Sequence, residues 1–112
     1  YESGNGSGAN NIGGMYRRGE GVEVDCTKAV EWYEKAYELG SGSAANSIGY
    51  MYNCGEGVDQ GCSRAMERYE KAYELGSSAA AENLGYMYLY GEGVEINQEK
   101  ANEWFDKAEE LK

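Results

Sequence analysis

A chain that returns to the same residues at a fixed interval has few folds open to it. Here the interval is 36 residues: Gly19-Glu20-Gly21-Val22 returns as Gly55-Glu56-Gly57-Val58 and as Gly91-Glu92-Gly93-Val94. Ile12-Gly13 returns as Ile48-Gly49 and Leu84-Gly85, and Ala29, Ala65 and Ala101 share one phase. In such an array each unit buries its apolar face only by stacking on a neighbour, and about three units make a stable stack. Three units of 36 account for 108 of the 112 residues. The period predicts one domain with a long surface rather than a deep chemical pocket.

Within a unit, Ala9, Ile12 and Tyr16 fall at helical intervals on one face. They predict a helix A over about residues 8–18. Glycine inside a helix costs ~1 kcal/mol relative to alanine. The return of Gly13 as Gly49 and Gly85 therefore points to close approach of a second helix. Gly19 ends helix A, because glycine accepts the left-handed conformation that closes a helix. Val22 is expected to plug the turn. The glycine pair is not a phosphate loop, since neither a preceding strand nor a following G-K-[ST] is present. Asp25 and Asn97 suit the cap of a helix B over about 26–39, whereas Gly61 in the second unit makes a weaker cap. Ala29, Tyr33, Ala36 and Leu39 (or Gly40) line one face, repeated as Ala65, Tyr69, Ala72, Leu75 and as Ala101, Phe105, Ala108, Leu111. The fold class is thus all-α: three 36-residue antiparallel helix pairs in an α/α solenoid.

The order Ala9, Ile12-Gly13, Tyr16, Gly19-x-Gly21-Val22, Asp25, Lys28-Ala29, Trp32-Tyr33, Lys35-Ala36, Leu39-Gly40 resembles the Sel1-like repeat, a relative of the tetratricopeptide repeat. The likeness recurs over nearly the whole chain, as repeats 9–44, 45–80 and 81–112. Arg68 departs from it where the other units have Trp32 and Trp104. The resemblance implies a right-handed superhelix and non-catalytic adaptor or scaffold work in protein complexes, without a cofactor.

Composition narrows the classes further. Twenty acids against ten bases give a net charge of -10. That opposes nucleic acid and anionic membranes as partners, because phosphate recognition needs a basic footprint. No apolar run approaches the ~20 residues of a membrane span. The absence of histidine removes the commonest general base and rules out Cys-His and Ser-His pairs. The three cysteines lack zinc-ligand spacing and form no even-numbered framework, which favours reduced thiols, although Cys54 and Cys62 flank one loop. Some secreted members of the family that the chain resembles are linked to β-lactam chemistry, but no S-x-x-K occurs here.

The two ends differ. Asn102 and Glu109 stand where inner units carry Val30 or Met66 and Tyr37 or Tyr73, a pattern that reads as a C-terminal cap. Residues 1–8 read as a flexible segment or as the stump of a preceding repeat, with Tyr1-Glu2-Ser3-Gly4 in the place of a helix B end. The chain reads as a piece processed or cut from a longer array, or else as one with an engineered, linker-like start.

The resemblance places binding on the concave side lined by the A helices. The candidate residues there are Asn10, Arg17 and Arg18; Asn46, Tyr50 and Asn53; and Glu82, Tyr86, Leu89 and Tyr90. Gly14 and Cys54 fall on the same faces. Asn amides can hold an extended peptide, the Arg pair a carboxylate, and the Tyr rings an apolar side chain. The partner class is a protein or peptide. A structural module that stacks end to end is the alternative.

Overall fold

Six helices of 13 residues each follow from this pattern in the computed structural model, which describes residues 6–112, with side chains from residue 8 onward. They are α1 (Gly6–Arg18), α2 (Cys26–Glu38), α3 (Gly42–Cys54), α4 (Cys62–Glu74), α5 (Ser78–Tyr90) and α6 (Gln98–Glu110). No strand occurs among the described residues. The Tyr1–Gly4 stump and the first five residues of the expected flexible segment lie outside the described residues, and α1 already begins at Gly6.

Local chemistry sets the helix ends. Asp25 and Asn97 accept from the backbone N–H of Lys28 (3.1 Å) and Lys100 (3.0 Å), while Gly61 offers no side chain to cap α4. Ser41 and Ser77 cap α3 and α5 in the same way. The turn after each A helix is strapped by one backbone hydrogen bond of 2.9 Å, from Asp25 to Tyr16, Gly61 to Tyr52, and Asn97 to Tyr88.

The A and B helices of a unit pack closely because no Cβ separates them. A Cβ built at Gly13 would lie 2.7 Å from the Tyr33 ring, one at Gly49 2.7 Å from Tyr69, and one at Gly85 2.5 Å from Phe105. Between units, α2 packs on α3 and α4 on α5, and α1 also touches α3. The core belongs to these junctions. One cluster joins Ala9, Ala29, Tyr33 and Ala36 to Ala44, Ile48 and Met51 of the next unit. The second joins Ala45, Ala65, Tyr69 and Ala72 to Ala80, Leu84 and Met87. Burial pushes the Tyr69 phenol far above its ordinary pKa.

Two sequence expectations fail in instructive ways. Leu39, Leu75 and Leu111 are exposed, each being the C-cap at the end of its helix. Val22 is exposed rather than tucked under its turn, while Val58 and Val94 are half-buried. The reason is the docking of each turn on the preceding helix B. A Cβ at Gly57 would meet Cys26, and one at Gly93 would meet Cys62, but one at Gly21 would meet only the Met15 tip at 4.0 Å. The first turn has no described helix to dock on. Asn102 and Glu109 are exposed.

Candidate functional site

The A-helix residues singled out from the sequence differ in what they are free to do. Tyr50, Tyr86 and Tyr90 are 40%, 47% and 66% exposed. Arg17 is not a free cation. Its Nε donates to Glu56 Oε1 of the next turn at 3.2 Å, and its guanidinium lies 4.7 Å from the Tyr50 ring centroid. Burial works against its charge, yet the hydrogen bond and charge of Glu56 outweigh that and raise its pKa. Arg18 is paired within its own turn, with Nε 3.0 Å from Glu20 Oε2. That hydrogen bond first, and the cationic charge second, hold the Glu20 carboxyl below the usual range. Gly14, expected on the exposed side, is buried, with the Arg18 guanidinium over it.

The amides form a relay between units. Asn83 Nδ2 donates to Asn46 Oδ1 at 2.9 Å, tying α5 to α3. One unit earlier the matching residues are Ser47 and Asn10. Ser47 instead donates to its own helix at Ser43 O (3.1 Å). Asn10 Oδ1 is left buried with no hydrogen-bond partner among the described residues. Asn53 turns toward helix α4: its backbone carbonyl accepts from Gln60, and its Oδ1 lies 3.7 Å from the Cys62 thiol.

In the third unit Glu82 accepts from Lys112 Nζ at 3.0 Å. That hydrogen bond, with a second that Lys112 Nζ donates to Glu109 Oε1 at 3.3 Å, raises the Lys112 pKa. Tyr86 stands edge-on to Phe105, with centroids 5.1 Å apart, and lies parallel to Tyr90 at 6.2 Å. Leu89 is half-buried beside them. The Cys54 thiol, exposed and not in a disulfide, raises the Tyr50 phenol by hydrogen bonding first and by charge second. A surface hollow of about 470 Å³ lies at the start of α4 between Asp59 and Gly93 and is lined by none of the candidate residues.

Sequence reasoning missed Glu56, whose role depends on stacking. The signal available was its threefold recurrence between two glycines. It also missed what Arg68 does on the opposite side. Arg68 grips Glu34 of the preceding repeat with both guanidinium branches, at 2.7 and 3.0 Å, and lies over Tyr37 at 5.4 Å. That pairing raises the Arg68 pKa against the cost of burial. One repeat later Trp104 takes the same place, edge-on to Tyr73 at 5.3 Å. A cation–π contact and an aromatic pair thus serve one junction position.

The family model for the Sel1 repeat matches residues 6–41, 42–77 and 78–112, so each match opens where an A helix begins. The chain belongs to the Sel1 repeat family. Sel1 repeat proteins generally act as scaffolds in protein–protein interaction. The array is similar to a Sel1 repeat protein of Oxalobacter formigenes, with 33% identity and TM-score 0.86 over 98% of this chain and 45% of that one. It is also similar to c5321, a protective antigen of uropathogenic Escherichia coli (33%, 0.85), over 94% of this chain and 22% of that one. Helicobacter pylori cysteine rich protein B aligns at 28% identity and TM-score 0.75, over 95% of this chain and 82% of that one. The Sel1 array here spans less than half the length of the first two. No curated protein sequence matches it significantly. No described Sel1 helix is long and apolar enough to cross a membrane.

Proposed function

We propose that this Sel1 array is a non-catalytic adaptor that binds a protein or peptide on the side lined by α1, α3 and α5. The observation that carries the reading is the run of exposed rings on consecutive A helices, Tyr50 on α3 and Tyr86 and Tyr90 on α5. Tyrosine is enriched at binding hot spots, where a flat apolar ring carries one polar handle. The contact of α1 with α3 supports a concave A side. The Asn46–Asn83 pair offers further amide groups on the same helices. Arg17 and Arg18 each already hold a carboxylate of this chain, so a ligand acid would have to displace it.

The test is capture of a partner on the immobilised array, identification by mass spectrometry, and titration of that partner. Tyr50→Ala combined with Tyr90→Ala should weaken it about tenfold or more, since hot-spot truncations commonly exceed ~1.4 kcal/mol. Unchanged affinity with intact helicity would remove the groove from consideration.

One observation favours the alternative of end-to-end assembly. Met15 is 38% exposed, whereas Met51 and Met87 in the same phase are fully covered by the preceding repeat. Light scattering over a concentration series separates this reading from the adaptor.

A further inference from the structure

The three turns carry one carboxylate in the same phase, Glu20, Glu56 and Glu92, and each is used differently. Glu20 pairs with Arg18 of its own turn. Glu56 holds Arg17 of the preceding repeat, and the same guanidinium lies over the Tyr50 ring. The second repeat thus supplies a ring and a carboxylate, and the first supplies the cation between them. One repeat further on, the ring is Tyr86 and the carboxylate is Glu92. The residue in the phase of Arg17 is Asn53, a short neutral side chain engaged with Cys62. Glu92 is exposed and has no ion pair among the described residues.

We infer that Tyr86 and Glu92 form a cradle for an arginine side chain of the bound peptide, occupying the position that Arg17 fills one repeat earlier. The inference rests on the adaptor reading and sharpens it. A guanidinium suits both walls, because its plane stacks on an aromatic face while its N–H fork meets a carboxylate. Phe105 fixes the Tyr86 ring edge-on, and Tyr90 extends the aromatic floor beside it. A net charge of -10 draws a basic segment toward this surface. The fold itself shows that the combination holds a guanidinium.

The experiment titrates the full chain with acetyl-Gly-Arg-Gly-amide, following the Glu92 amide and the Tyr86 ring by NMR. The same peptide with citrulline, which keeps the shape and loses the charge, serves as the comparison. The arginine peptide should give saturable shifts at both residues, and the citrulline peptide should bind at least about fivefold more weakly. Glu92→Gln should reduce binding similarly. Asn53→Arg should fill the cradle from within and abolish the shifts, while circular dichroism confirms an intact fold. Equal binding of the two peptides, or undiminished binding by Asn53→Arg, overturns the cradle. A partner retained by Asn53→Arg but lost by the Tyr50→Ala, Tyr90→Ala variant overturns the cradle and leaves the groove standing. A partner retained by both variants overturns the groove itself.

Discussion

Gly49→Leu should lower stability by about 3 kcal/mol, the upper part of the usual range for forced insertion into a packed core. Even a methyl group at Gly49 would lie 2.7 Å from the Tyr69 ring and 3.1 Å from the Ala65 carbonyl oxygen. The carbonyl belongs to helix backbone and cannot step aside. Tyr69 is itself almost wholly buried, so its ring has nowhere to turn. The gain in helix propensity, ~1 kcal/mol for replacing a helical glycine, is too small to compensate. Gly14 provides the contrast. A Cβ there meets only the guanidinium of Arg18, the far end of a flexible and exposed side chain. Gly14→Ala should therefore raise stability by up to ~1 kcal/mol. Thermal melts followed at 222 nm decide both. A Gly49→Leu midpoint that does not move would refute the close contact of α3 with α4.

The second large effect separates stacking from local strain. Gly21 and Gly57 hold the same turn position at φ +78 and +76, where an L side chain costs ~1–2 kcal/mol. Gly21→Ala should cost about that much, for nothing but the Met15 tip approaches it. At Gly57 a Cβ would lie 2.5 Å from the Cys26 carbonyl oxygen of the preceding repeat. Gly57→Ala should exceed Gly21→Ala by about 1–3 kcal/mol, the cost of prising the turn off α2. Urea unfolding measures both variants on one scale. Equal losses would mean that the turn gains nothing from its neighbour.

Features set by neighbours in sequence were legible before the structure. The period gave six helices, because glycine and capping residues punctuate it at short range. Gly13, Gly49 and Gly85 announced tight contacts since a helical glycine needs a reason. Asp25 and Asn97 announced caps, and Gly61 a missing one. What escaped depends on residues brought together by stacking. Arg17 reads as a free cation until Glu56, 39 residues away, is folded onto it. Arg68 reads as a lapse from the tryptophan pattern until Glu34 and Tyr37 face it. Leu39 has the right phase for the core but is the C-cap where α2 ends, and it stays exposed. Gly14 shares a helical face with Arg18, and only the fold shows the longer side chain lying across it. Which charges of the candidate groove are already paired was not legible, because each partner is set by the fold.

Both buried clusters join one repeat to the next, so a single helix pair should lack most of its core. The direct measurement is circular dichroism of residues 42–77 alone, beside the full chain at equal residue concentration. The isolated repeat should show little helix and no cooperative melt, against a helical signal and one sharp transition for the array. A cooperative transition in the single repeat would contradict mutual support between neighbours as the origin of this fold.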